Sequence, residues 1–337
     1  MVENKKIAIL GYGHIGKKHA EMVLQVEGCE LIALIDPKFA TESILNLPDV
    51  PTFLSLEDFL KSGLSADIVA VCTPNGLHFE QAKELIENGC HVIIEKPIAL
   101  CSEEALQLQK LAAEYNVHVF PVMQNRFSPP AVWLKEIMNA KVLGKIYMVQ
   151  VSCFWNRNEH YYAKGSWRGT KNLDGGTLYT QFSHYLDIMY WLFGDISNIK
   201  SKFADFNHAD LTEFEDSGII TFDFVSGGMG SFTFSTSTYH ENLESSLTVL
   251  AEFGSIKIGG QYMNQVEKCL IRDYDAPELP ETSGANDYGT FKGSAQNHHH
   301  LYQNVIEFLR DGKEIQTTTD DSVQVLKIIE KIYASSE

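Results

Sequence analysis

The sequence predicts an α/β chain: an N-terminal Rossmann-type doubly wound parallel sheet, then an α+β domain with a large, mostly antiparallel open sheet. Three observations carry this. Short apolar runs alternate with helical stretches over the first 124 residues, the pattern of a parallel sheet covered on both faces. Gly11, Gly13 and Gly16 form a Gly-x-Gly-x-x-Gly motif between the first apolar run and the first helical stretch. Beyond residue 127 strand-like runs follow one another with few helices between them, which favours antiparallel pairing with one packed and one exposed face. The predicted division is 1–124 and 125–337, two domains in a chain of 337 residues against a prior of roughly 150 residues per domain.

The elements follow in order. An apolar run over Lys5–Leu10 precedes the glycine motif and a helix over 17–26. A second strand, 31–35, ends at Asp36-Pro37, and a third, 67–73, leads to a helix over 76–88. The fourth, His91–Ile94, ends in Glu95-Lys96-Pro97, before a helix over 102–115 and a strand over 117–122. In the second half the strand-like runs are 148–153, 218–224, 228–234, 247–251 and 255–258. A helix is expected over 177–193, and another over 322–333, where Val323, Leu326, Ile329 and Ile332 recur at helical spacing.

The glycine motif has the context that gives it a mechanism: strand before, helix after, and an acidic residue at the end of the next strand. Gly11 suits a tight turn, Gly13 a close backbone approach to a pyrophosphate, and Gly16 close helix–strand packing. The helix start at His14 and Ile15 offers free amides to that pyrophosphate. Asp36 would accept hydrogen bonds from the adenosine ribose and repel a 2′-phosphate, so the expected cofactor is NAD rather than NADP. Ligands of open parallel sheets sit beyond the carboxyl ends of the strands. That rule adds Thr73, Pro74, Asn75, His78, Glu95, Lys96 and Gln124 to the cofactor candidates.

Composition narrows the partners. Against 27 Lys plus Arg stand 44 Asp plus Glu, a net charge of −17, which opposes nucleic acid. No apolar run approaches the roughly 18 residues of a membrane helix, and the first residues lead straight into a strand-like run, so a cytoplasmic address is expected. The six cysteines lack CxxC or zinc-ligand spacing and are expected as reduced thiols. No metal is expected: in Asn297-His298-His299-His300 adjacent histidines do not readily converge on one ion, and no acidic or cysteine partner has a suitable offset.

With Glu95-Lys96-Pro97 at its distance from the glycine motif, the chain resembles the Gfo/Idh/MocA oxidoreductases along essentially its whole length. The resemblance implies that Lys96 lies between nicotinamide and substrate, that the Lys96–Pro97 peptide is cis, and that the second domain's open sheet joins subunits into a homodimer or homotetramer. It also implies that Leu173-Asp174-Gly175-Gly176 leads to a histidine, His184, that takes the substrate hydroxyl proton. Thr180 replaces an aspartate common in the family one turn before that histidine. This departure, with 254–260 and Asn264, resembles the branch acting at C3 of UDP-N-acetylhexosamines or their uronic acids.

The chemistry so implied is hydride transfer from a sugar hydroxyl carbon to nicotinamide. Histidine, with its ordinary pKa near neutrality, suits the base at position 184. Lys96 can hold a developing alkoxide, and either group could take the proton. Arg126, Arg157, Trp167, Arg168 and Thr180, with Lys164 and Lys171 nearby, are the further substrate candidates: cations for a diphosphate or carboxylate, and an indole to stack on a ring. Two other readings belong to the same fold, a glycosidase that uses NAD transiently and a non-catalytic NAD-binding regulator.

Overall fold

The computed structural model describes residues 4–41, 48–282, 284–289 and 291–336. Residues 1–3, 42–47, 283, 290 and 337 lie outside them. The chain forms two compact units, residues 1–123 with 298–323, and 124–297 with 324–337. By contacts, residues 298–323 group with the N-terminal unit, while the expected boundary near 124 coincides with the division between the two units. The segment 298–323 belongs with the first unit because Val305 and its neighbours on an amphipathic helix bury one face there.

The first unit holds a six-stranded sheet of β1 (Lys5–Leu10), β2 (Cys29–Ile35), β3 (Thr52–Phe53), β4 (Ile68–Val71), β5 (His91–Ile94) and β6 (Val119–Pro121). Every pairing is parallel and the order is β3-β2-β1-β4-β5-β6. Its strands read as unbroken apolar runs because both faces are covered: Ile7, Ala8 and Ile9, like Ile68 to Val71, are fully buried. Helices α1 (His14–Gln25), α2 (Leu56–Lys61), α3 (His78–Glu87) and α4 (Ser102–Glu114) supply the crossovers. The strand order reverses between β1 and β4, and such a reversal opens a crevice at the carboxyl ends of the strands. Gly11, Thr73 and Glu95 occupy those ends.

The second unit is built on a seven-stranded sheet. In chain order its strands are β7 (Ile146–Phe154), β8 (Ile196–Ala204), β9 (Ser217–Phe224), β10 (Met229–Ser235), β11 (Glu244–Ala251), β12 (Gly254–Gly259) and β13 (Gln265–Ile271). The spatial order is β13-β12-β11-β7-β10-β9-β8. Only β7 and β10 run parallel; the other neighbours are antiparallel. β8 and β13 were not picked out as strands; both lie at sheet edges, where β8 carries polar residues on five of its nine positions and β13 on three of its seven. The alternation elsewhere is clear: β9 buries Gly218, Ile220, Phe222 and Phe224 and exposes Ile219, Thr221 and Asp223. A short hairpin, β14 (Ala285–Asp287) with β15 (Lys292–Ala295), completes the strands.

Helices α5 (Pro129–Asn139), α6 (Thr177–Thr180) and α7 (Ser183–Phe193) lie in this unit. The single helix expected over 177–193 is broken at Gln181-Phe182, where Phe182 takes φ −115°, ψ 4°. Phe182 is fully buried with its ring against Trp155 at 5.5 Å and Phe234 at 5.3 Å, so tertiary packing outweighs the local helical pattern. Two further helices close the chain, α8 (His298–Asp311) and α9 (Thr319–Ala334). The latter starts one turn before the predicted 322, with the Thr318 hydroxyl accepting from the Asp321 amide at 3.1 Å.

Candidate functional site

The three glycines of the first turn do different work. Gly11 sits at φ +91°, and a Cβ there would lie 2.9 Å from the Cys72 carbonyl; a Cβ on Gly16 would lie 1.9 Å from the Gly11 oxygen. Only glycine fits either position. A Cβ on Gly13 would meet nothing within 4 Å, so the space before the α1 N-terminus is open. That terminus has no acidic residue in its first turn and His14 stands exposed, while Ile15 is half-buried. Open space, unopposed amides and the helix dipole together fit a pyrophosphate.

Asp36 is held by two backbone amides. Its Oδ2 accepts the Tyr12 amide at 2.6 Å and its Oδ1 the Lys38 amide at 2.8 Å. The carboxylate is thereby fixed at the tip of β2, next to the glycine turn. Thr73 donates to Gln81 Oε1 at 2.6 Å, and Pro74 and Asn75 open the short turn before α3, Asn75 being buried. His78, a cofactor candidate, is engaged at both ring nitrogens. It is fully buried, its Nδ1 lies 2.7 Å from the Pro97 carbonyl and its Nε2 2.9 Å from the Thr73 carbonyl, so it ties two strand-end loops together. Burial pushes its pKa down.

The Lys96–Pro97 bond is cis, and Lys96 is half-buried at the end of β5. Glu95 faces inward rather than toward a ligand. Its Oε1 lies 3.0 Å from His19 Nε2 and 3.4 Å from His298 Nε2, and its Oε2 accepts the Lys96 amide at 3.2 Å. Burial alone would raise the Glu95 carboxyl, but the two imidazoles outweigh it and hold it well below the ordinary carboxylate range. Tyr302 Oη lies 2.8 Å from His19 Nδ1; with the hydroxyl donating there, the opposite ring nitrogen donates to Glu95. Sequence reasoning missed His19 and the role of His298, because residues 19, 95 and 298 meet only through the fold. Their donor atoms all lie within 4.8 Å of one another. Of the histidine run, His298 is buried, His299 half-buried and His300 exposed.

In the second unit His184 lies one residue into α7 and is 2 % exposed. The Gln124 amide nitrogen approaches its Nε2 at 3.4 Å, so Gln124, a cofactor candidate, also meets the residue expected as the base. Thr180 does not share a helix face with His184, since the helix breaks between them; its hydroxyl donates to the Asp174 carbonyl at 2.9 Å and also to the Asp174 carboxylate. Asp174 therefore brings a carboxylate beside the position where the family's aspartate is missing.

Arg126, a substrate candidate, is paired within the protein. Its Nε and Nη2 reach the two Asp187 oxygens at 2.8 and 2.7 Å, both side chains are 1 % exposed, and the guanidinium lies over Trp191. It is neutralised by a bidentate partner and anchors α7. Arg157 is also buried, donating to Gln181 at 2.8 Å and to the Asn156 carbonyl at 2.7 Å. Burial lowers its pKa. Its guanidinium lies 4.6 Å from the Trp155 ring centroid and 5.0 Å from that of Tyr161. Arg168 is half-buried, 4.6 Å from the Tyr161 ring and 5.1 Å from Trp167. Lys164 and Lys171 are exposed. Gln181, which also donates to Tyr161 Oη at 2.7 Å, had no sequence signal beyond lying three residues before His184. The stretch 254–260 forms β12 and its turn, with Lys257 paired to Glu267 at 2.8 Å.

Comparison with known proteins agrees with this architecture. Residues 5–122 match the oxidoreductase family model for an NAD-binding Rossmann fold, and residues 135–337 match the family's C-terminal alpha/beta domain. The WlbA dehydrogenase from Chromobacterium violaceum, solved with NADH and UDP-GlcNAcA, is 31% identical, with a TM-score of 0.86 and coverage of 99% of this chain and 94% of that one. The WlbA dehydrogenase from Bordetella pertussis, solved with the same two ligands, is 31% identical, with a TM-score of 0.83 and coverage of 99% and 96%. scyllo-Inositol 2-dehydrogenase (NADP(+)) IolW of Bacillus subtilis is 25% identical over 100% of this chain and 95% of its own. With both domain models matched in sequence and the glycine turn shaped for a dinucleotide, the chain belongs to the Gfo/Idh/MocA family of NAD-dependent oxidoreductases.

Proposed function

We propose that the protein oxidises a secondary ring hydroxyl of a nucleotide-linked amino sugar, at C3 of a UDP-N-acetylamino sugar or its uronic acid, with NAD as acceptor. The observation that carries this reading is the 31% identity, over 99% of the chain, with dehydrogenases solved with NADH and UDP-GlcNAcA, in a sequence that retains Lys96 and His184.

The residues divide the chemistry. Gly11, Gly13 and the α1 N-terminus would hold the pyrophosphate, and Asp36 would take the adenosine ribose. NAD supplies the hydride acceptor at nicotinamide C4. With the C3–H hydride passing to such an acceptor, the hydroxyl proton would go to a base, and the His184 imidazole would take it. Lys96 donates a charged hydrogen bond to the oxygen as negative charge develops on it. Gln124 orients the imidazole, and the Arg126–Asp187 pair fixes the helix that carries it. The six cysteines, none in a disulfide, suit a reducing cytosol.

We also propose assembly into a dimer or tetramer through the open face of the large sheet. Leu250, Met148 and Met229 are exposed and lie side by side across β11, β7 and β10, an apolar row that a second sheet would cover.

The test is formation of NADH with a panel of UDP-sugars. Wild type reduces NAD with at least one UDP-N-acetylhexosamine or uronate. Lys96→Ala and His184→Ala each lower turnover at least about 100-fold, the worth of a positioned acid or base. Full turnover in both variants would overturn the assignment.

A further inference from the structure

The short helix α6 has little to hold it by itself. It spans the four residues Thr177–Thr180, far too few for a helix to persist on its own hydrogen bonds. Its start is nevertheless fixed. Gly175 and Gly176 take φ +91° and +140°, a backbone that suits glycine. A Cβ on Gly176 would lie 2.8 Å from Tyr333 Oη, so the second glycine also leaves room for a hydroxyl arriving from α9.

That hydroxyl is a clamp. It accepts the Leu178 amide at 3.3 Å and donates to Glu215 Oε1 at 2.7 Å. The Glu215 backbone carbonyl accepts the Thr177 hydroxyl at 2.5 Å. The start of α6 is therefore bonded to one corner of the fold twice, once through an amide and once through a side chain. Thr177 and Leu178 are buried, so water does not replace either bond without a cost. The Tyr333 ring is held as well, stacked on Tyr179 at 5.9 Å and 12° and meeting Phe203 at 5.4 Å. Burial, followed by the charge of Glu215, pushes the Tyr333 pKa well up, and the hydroxyl keeps its proton.

From this corner a short run of backbone bonds leads to His184. The Gly176 carbonyl accepts the Tyr179 and Thr180 amides at 3.1 and 3.0 Å, and the Thr177 carbonyl accepts those of Gln181 and Phe182 at 3.0 and 3.2 Å. The Phe182 carbonyl then accepts those of Tyr185 and Leu186 at 3.0 and 3.2 Å, a turn that contains His184. Because the helix breaks at Phe182, the direction in which α7 begins depends on the turn before it as well as on the Arg126–Asp187 pair. A displacement of α6 reaches the imidazole within one further turn.

We infer that the Tyr333 hydroxyl positions the base: by holding the Gly176–Leu178 segment against Glu215, it fixes α6 and through it the place of the His184 imidazole. The inference rests on the reading of His184 as the base. Tyr333 acts through α6 and takes no part in the proton transfer itself.

Tyr333→Phe removes one oxygen and keeps the ring. Wild type and variant are compared by thermal melting, by kcat and KM for NADH formation, and by the ring-nitrogen NMR signals of His184 in histidine-labelled protein, assigned by their loss in His184→Gln. The variant melts cooperatively and the His184 signals move. Its kcat falls at least about tenfold, as displacement of a reacting group from its productive geometry allows. Its KM for NAD stays that of wild type, because the glycine turn and Asp36 belong to the other unit. Unmoved His184 signals or an unchanged kcat overturn the inference; a lower melting temperature with both unchanged makes Tyr333 a structural residue only. Should Tyr333→Phe not fold, Glu215→Gln and Glu215→Leu carry the test. Glutamine keeps an oxygen that accepts the hydroxyl and retains the wild-type His184 signals, leucine loses both, and equal signals in the two overturn the inference. If wild type forms no NADH with any UDP-sugar, the dehydrogenase reading fails and the His184 signals alone decide the positioning.

Discussion

Replacing Arg126 by alanine leaves Asp187 buried at 1 % exposure without the two bonds of 2.8 and 2.7 Å that hold it. Breaking a buried pair from one side costs about 3–5 kcal/mol, because the remaining charge keeps its desolvation penalty. With a urea dependence of roughly 2 kcal/mol per molar, the unfolding midpoint of the second unit should fall by about 1.5–2.5 M. Trp191, over which Arg126 lies at 5.3 Å, provides a fluorescence reporter at the site. The double replacement Arg126→Met with Asp187→Leu should recover most of the loss, since no charge is then left unpaired. If Arg126→Ala instead keeps its midpoint and raises only the KM for an anionic substrate, Arg126 is a substrate ligand and the structural role assigned to it is wrong.

Two other outcomes follow from the same geometry. Asp36→Ala should shift cofactor preference toward NADP by at least about tenfold, about 1.4 kcal/mol, read from the ratio of kcat/KM values with the two cofactors; an unchanged ratio would contradict the ribose role. Burial raises the Glu215 carboxyl to about 7 from its ordinary 4.5, against the lowering effect of the 2.7 Å bond from Tyr333. The folded state thus holds this proton more tightly than the unfolded one, so stability is full below pH 4.5 and falls as pH rises toward 7. The loss is about 3 kcal/mol at most. Glu215→Gln should flatten that part of the stability profile, and thermal melts of both proteins between pH 4.5 and 8, a range starting at the ordinary value, would show whether it does.

Much of the first unit was legible because its signals are local. Lys5–Leu10 is apolar at every position past its charged start since both faces are covered, and the spacing of Gly11, Gly13, Gly16 and Asp36 encodes one turn and the next strand end. The second unit was legible where strands alternate, as in β9, and not at the sheet edges β8 and β13. The break at Phe182 was hidden for a different reason: a ring packed between Trp155 and Phe234 decides it, and neither lies near in sequence. The site followed the same rule. Residue types named Lys96 and His184, but whether an arginine meets an acid depends on the fold, so Arg126 could not be told from Arg168 until Asp187 was seen beside only one of them.

The most direct test of the account is to supply UDP-N-acetylglucosaminuronic acid carrying deuterium at C3 together with unlabelled NAD, and to analyse the reduced cofactor by mass spectrometry. The account predicts one deuterium on the nicotinamide for each ketone formed. Unlabelled NADH, or no NADH with the deuterium retained in the sugar, would contradict it.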